Sequence, residues 1–288
     1  MINRQAISVW MVFALVFGVA CATTATAAQD KTRQIRIQYV TPLNSEHRPL
    51  YERLKQARAL ERLQELLSPI RLPHPLLLKV LGCEGDSNAW YEEDVINVCY
   101  EFLQDILKSA PEQSLPSGVT KEDGILGPFL DVFLHEAGHA VFDLQKIPIF
   151  GREEDAADNF SAYLMLQLGE EYSHRLMLGS AYQYKAGVDN PQLTLEIKKF
   201  SNEHGIPAQR FFNVLCIAYG ADEKMFADVV EKGYLPKSRA EQCGAEYDQT
   251  AFAFNKLIAP HIDKTLAKKV LKTWMRDVEA RPKYRPGH

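Results

Sequence analysis

The segment His135-Glu136-Ala137-Gly138-His139 sets two histidines four residues apart, with a glutamate directly after the first. In a helix that spacing puts both imidazoles on one face, where both can reach one metal ion. Glu136 then lies beside the ion, close enough to take a proton from water bound there. The flanks, Val132-Phe133-Leu134 and Ala140-Val141-Phe142, suit a buried helix. Gly138 costs that helix about 1 kcal/mol relative to alanine, so tight packing is expected at this position. For the bare motif, two hydrogen-bonded core histidines are the plain alternative.

A catalytic zinc ion needs a third protein ligand and one position left open to water. A histidine six residues beyond His139 would complete the metzincin pattern, but Gln145 stands there and removes that class. Instead, a turn containing Pro148 leads to Glu153-Glu154-Asp155, with Asp158 shortly after. Adjacent helical residues differ by about 100° in direction, so at most one of the first three faces a metal squarely. Glu154 shares its face with Asp158, one turn on. The spacing therefore predicts Glu154 as the third ligand and Asp158 as the carboxylate that orients a ligand histidine. Glu153 and Asp155 are expected to take no part. An acidic first turn favoured by the helix dipole would account for the first three, but less well for an aspartate among Ala156, Ala157 and Phe160. The cofactor expected is one zinc ion per chain, held by His135, His139 and Glu154.

These residues must be carried by definite elements. Gln34–Val40 alternates polar and apolar residues as a half-buried strand does. Leu50, Leu54, Leu60, Leu63 and Leu67 predict one helix over about 46–67. Pro73 and Pro75 bracket a turn into a buried strand, Leu76–Leu81, and Val95–Val98 reads as another strand ahead of a helix near 100–107. Residues 110–124 form a loop rich in turn formers. Beyond it helices are expected over about 126–145, 153–169, 171–184, 191–204, 207–219, 237–257 and 261–279. The fold class is α+β: a small mixed sheet in the N-terminal half, and a mostly helical C-terminal half.

Met1–Arg4, an apolar run from Ala6 to about Cys21, and Ala25-Thr26-Ala27 together describe a secretory signal peptide cleaved after Ala27. A retained membrane anchor is the alternative. Residues 28–288 are then expected as one domain, with 28–145 its mixed part carrying the histidine helix and 146–288 its helical part. The expected location is periplasmic or secreted, without stable membrane insertion after cleavage. A formal charge of −4 and no lysine or arginine run argue against nucleic acid and anionic membranes as partners. Four cysteines remain beyond that leader, Cys83, Cys99, Cys216 and Cys243, none in C-x-x-C spacing. An even count in an oxidising compartment favours disulfides. Three connectivities are open; local pairing, Cys83–Cys99 and Cys216–Cys243, is expected because each staples a short stretch.

The two motifs together resemble the gluzincins, the thermolysin-like metallopeptidases with H-E-x-x-H on one helix and E-x-x-x-D on the next. The resemblance implies a zincin-like fold, Glu154 as zinc ligand and Asp158 as the brace of His135. Asn88-Ala89-Trp90-Tyr91 resembles the edge strand with which those enzymes hold substrate backbone, implying a substrate-binding role for Asn88 and Ala89. One departure is plain: where that clan carries a tyrosine between its zinc motifs, this chain has Phe150. A downstream oxyanion donor is then expected, with His204, Arg210 and Tyr219 as candidates. The chain is more similar still to a family of exported bacterial metallopeptidases of undescribed substrate. That likeness rests on Cys83, Asn88-Ala89, Cys99-Tyr100-Glu101, the two zinc motifs, Glu203-His204 and Gln209 to Gly220. The expected activity is zinc-dependent hydrolysis of a peptide or protein, with Glu136 as base. A cell-wall peptide amidase, or a binding or stress-related protein without turnover, is the rival.

Overall fold

The computed structural model describes residues 34–185, 188 and 197–274. The leader expected over residues 1–27 lies outside these, as do residues 191–196 of one expected helix and 275–279 of another.

Strand β1 (Ile35–Tyr39) pairs in parallel with β2 (Leu76–Leu81), and β2 in parallel with β4 (Val95–Cys99). The short β3 (Ala89–Glu92) runs antiparallel to β4 and ends the order β1-β2-β4-β3. Register puts Leu78 beside Ile96 and Val80 beside Val98, all fully buried on one face of the sheet. A two-residue turn joins β3 to β4, with Glu93 and Asp94 both left-handed (φ 48° and 65°), as a tight hairpin requires.

The helix expected over 46–67 is two helices, α1 (Arg48–Gln56) and α2 (Ala59–Leu67). Arg58 between them is left-handed (φ 53°). Each half buries its own leucines, Leu50 and Leu54 in one, Leu60, Leu63 and Leu67 in the other. The six-residue step from Leu54 to Leu60, too long for a helical face, is the trace of this break.

After α3 (Tyr100–Ser109) and a loop comes α4 (Asp123–Leu144), the histidine helix. It is buried on nearly every side, between the sheet and the helices α5 (Glu153–Met165) and α6 (Glu170–Tyr184). Contact with α6 is backbone to backbone: a Cβ on Gly127 would lie 2.5 Å from the Ser180 nitrogen. Asp131, buried at this crossing, accepts hydrogen bonds from Ser161, Ser180, Gln183 and Tyr184. A buried carboxylate without donors would be costly, and α5 and α6 supply them.

The remainder is helical, with corrections to the expected elements. Of the stretch expected as a helix over 191–204, the described residues 197–204 hold a short 3-10 turn, Ile197–Ser201. Beyond it come α7 (Pro207–Ala221), an unexpected α8 (Ala227–Glu231), α9 (Lys237–Ala240), α10 (Cys243–Leu257) and α11 (Lys264–Trp274). The helix expected over 237–257 is therefore interrupted ahead of Cys243. Contacts between α11 with the segment before it and the α2 region include the bridge of Ile262 to Ile70 and the Trp274 indole, which donates to Arg62 O at 2.7 Å. Both local disulfides are formed, Cys83–Cys99 and Cys216–Cys243. They fit an oxidising compartment. Among the described residues no helix is long and apolar enough to cross a membrane.

Candidate metal centre

Four donor groups from three segments converge. His135 and His139 on α4 bring their Nε2 atoms to 3.2 Å of each other. Glu154, in the first turn of α5, reaches both, at 3.1 Å from His135 Nε2 and 3.5 Å from His139 Nε2. His204, just ahead of α7, places its Nε2 2.7 Å from Glu154. His135, Glu154 and His204 offer donor atoms all within 4.8 Å of one another. Two donor triads thus share His135 and Glu154 and differ in the third histidine.

Gly138 decides how close α5 can come. A Cβ there would sit 3.2 Å from Ala157 Cα and 3.3 Å from the Phe160 ring. With only hydrogen at that point, the small Ala157 face of α5 beds onto α4 between the two histidines. Glu154 and Asp158, on the neighbouring face of α5, are thereby carried to their positions. The helix cost of glycine has the compensating contact that its place in the sequence implied.

Each helix histidine has its outer nitrogen fixed by its own carboxylate. His135 Nδ1 donates to Asp158 at 2.8 Å. His139 Nδ1 donates to Glu153 at 2.8 Å. The second bond corrects the expectation that Glu153 stands idle: the first turn of α5 spreads Glu153 and Glu154 to either side of His139, one to each ring nitrogen. Asp155, as expected, points elsewhere, toward Arg152.

Asp158 is held in turn by Arg210 of α7, which donates from Nε at 2.9 Å and from a terminal nitrogen at 2.5 Å. The guanidinium lies 4.6 Å over the half-buried Tyr184 ring. Tyr184 donates to Asp131, so a largely shielded chain of polar contacts runs from His135 to the α4–α6 crossing.

These contacts govern the charges. Burial opposes a charged His135, but its bonds to Asp158 and Glu154 outweigh that and raise it to about 9. Burial likewise pushes Asp158 and Glu154 up, yet the histidines, and Arg210 beside Asp158, hold both carboxyls below their usual range. Glu136, 6 % exposed, goes the other way: burial raises its carboxyl despite the neighbouring histidines.

A family model described as "Putative metallopeptidase" (DUF4344) matches residues 39–258. The chain belongs to that family. The metallopeptidase match takes in both histidine-bearing segments, α5, Arg210 and all four disulfide cysteines. No curated protein and no solved structure matches the chain.

Within this chain the remaining expected site residues fall in two groups. Asn88 and Ala89 do begin the edge strand: Asn88 O accepts from Cys99 N at 3.0 Å and Ala89 pairs with Val98. Strand β3 lies against α4, and Tyr91 donates to Asp143 on that helix at 2.8 Å. Of the three oxyanion candidates, only His204 has its side chain at the donor cluster and 40 % exposed. Arg210 is occupied by Asp158. Tyr219 comes nine residues after Arg210 on α7, which places it about 180° round the helix and about 13 Å along it. Its neighbour Gly220 abuts Cys243 of α10. Sequence reasoning gave no role to Arg152 or Glu153. A basic residue followed by three acidic ones at the start of α5 was their one sequence signal, and it equally describes a solvated helix end.

Proposed function

We propose that this metallopeptidase-family chain is a zinc-dependent hydrolase of peptide bonds. The carrying observation is that His135 and His139 each bind a carboxylate through Nδ1 and turn Nε2 toward the other and toward Glu154. Two imidazole lone pairs and a carboxylate directed at one point, with outer nitrogens already anchored, form a donor set suited to zinc. We assign His135, His139 and Glu154 as ligands, because all three sit on regular helix, His135 buried and the other two half-buried. His204, more exposed and on an irregular segment, is left to meet substrate. Bound zinc would supply Lewis acidity toward a water molecule and a substrate carbonyl.

The chain's own groups supply the rest. Glu136 is next to a ligand in α4 and is shielded from water, which raises its carboxyl toward the range useful for proton transfer. It takes the proton of the attacking water and delivers it to the departing amine. His204 donates to the oxygen that gains charge at the scissile carbon, in place of the hydroxyl absent at Phe150. An extended peptide lies along the outer edge of β3, the last strand of the sheet among the described residues, so Ala89 holds backbone through main-chain groups. The Tyr91–Asp143 bond keeps that strand in place beside α4.

Purified protein is expected to carry one zinc per chain by elemental analysis and to cleave a peptide library in a chelator-sensitive way. Glu136→Gln should retain zinc and lose cleavage; His135→Ala and Glu154→Ala should lose both. Full activity in Glu136→Gln would refute the assignment of the base. Zinc-loaded wild type with no cleavage of any peptide would favour the non-catalytic binding protein.

A further inference from the structure

We infer that Arg152 is a positioning residue that clasps the 202–206 segment and thereby sets His204 against Glu154. The inference rests on the peptidase reading for its kinetic consequence, but not for its geometry. Arg152 is the residue immediately before α5, with extended backbone (φ −81°, ψ 125°). From this position its guanidinium donates to two consecutive carbonyls, Asn202 O at 3.3 Å and Glu203 O. The next residue is His204, whose backbone nitrogen donates to Asn202 Oδ1 at 2.8 Å. Five residues, Asn202 to Ile206, join the 3-10 turn to Pro207 at the start of α7 without regular structure of their own. Such a segment does not hold a side chain in one place unless something outside it does.

Arg152 is that outside contact. It lies two residues before Glu154, so the residue that opens the ligand helix also grips the backbone that presents His204. The separation of His204 and Glu154, 2.7 Å, is set by one short covalent path and one forked contact. One terminal nitrogen of the planar guanidinium meets both carbonyls; an ammonium at the end of a flexible stem holds its partners with no fixed angle. The remaining partner of Arg152, Asp155, is 4.0 Å away on the exposed side of α5. A role confined to α5 would act on Glu153 and Glu154 and therefore on zinc.

The test uses the zinc-loaded full chain. Arg152→Ala should leave zinc affinity unchanged in a chelator competition. It should speed amide hydrogen exchange over residues 203–206 and leave exchange in α5 as it was. For peptide cleavage, kcat should fall on the order of 10-fold or more with little change in KM, since a small misplacement is costly in the chemical step. Arg152→Lys should recover part of that loss. In a His204→Ala background, Arg152→Ala should have no further effect on kcat. Unchanged exchange at 203–206, weakened zinc, or an additive loss in the double variant would each overturn the clasp. If the protein cleaves no peptide, the proposed function fails while exchange and zinc affinity still decide the clasp.

Discussion

Glu153 Oε1 accepts a hydrogen bond from His139 Nδ1 at 2.8 Å, as Asp158 does from His135 Nδ1 at the same distance. The two braces are alike in chemistry and unlike in setting. Asp158 is 14 % exposed and gripped by Arg210; Glu153 is 53 % exposed. Water can replace much of what Glu153 does and little of what Asp158 does. Asp158→Asn is therefore expected to weaken zinc about 10–100-fold, and Glu153→Ala measurably but at the low end of that range. Glu153→Gln, which keeps an acceptor oxygen, should fall closer to wild type. Competition with a chelator of known affinity gives the order; equal losses at both positions would show that burial does not scale the brace.

Gly138 separates metal geometry from stability. Gly138→Ala gains about 1 kcal/mol of helix propensity and introduces a Cβ that must push Ala157 and Phe160 aside by a few tenths of an ångström. The expected outcome is a melting temperature near that of wild type together with weaker zinc binding, because α5 retreats with Glu154. Wild-type zinc affinity in this variant would mean that α5 does not owe its position to Gly138.

The disulfides close short loops, with sequence separations of 16 and 27 residues. Restriction of the unfolded chain predicts about 3–4 kcal/mol for each. Removing Cys216–Cys243 by paired serine substitution should lower the denaturant midpoint with the zinc site intact, since this bond joins α7 to α10 away from the ligands. Loss of zinc in that variant would show that the anchoring of α7 reaches the metal through Arg210.

Glu101 gives stability a defined acid dependence. Its carboxylate is 11 % exposed and accepts from Cys83 N and Gly85 N. Burial alone would raise it, but these backbone bonds and nearby His47 lower it below the ordinary 4.5. A carboxyl lowered on folding stabilises the fold above its unfolded value and loses that contribution as pH falls through the folded one. Unfolding free energy measured from pH 7 to pH 3 should fall on the acid side of about 4.5, and Glu101→Gln should flatten part of that limb. An identical acid limb in the variant would assign the dependence to other carboxylates.

The sequence by itself determined whatever a single element dictates. Four residues make a helical turn, so His135 and His139 share a face wherever α4 is placed, and the same holds for Glu154 and Asp158 on α5. Alternation located β1, the proline-bounded apolar run located β2, and short spacing located both disulfides. The leucine rhythm ran past the left-handed Arg58 because periodicity records which side is buried, not whether the chain is continuous.

Tertiary structure alone decided which side chains meet between elements. Glu153 and Asp155 flank the same ligand and have the same charge; the tilt of α5 over Gly138 sends one to His139 and leaves the other outside. Arg210 and Tyr219 were equal candidates on one helix, and the docking of α7 turned Arg210 to Asp158. Arg152 reaches Asn202 and Glu203 across fifty residues of chain. Such contacts depend on rigid-body placement summed over many apolar packings, and no local spacing encodes it.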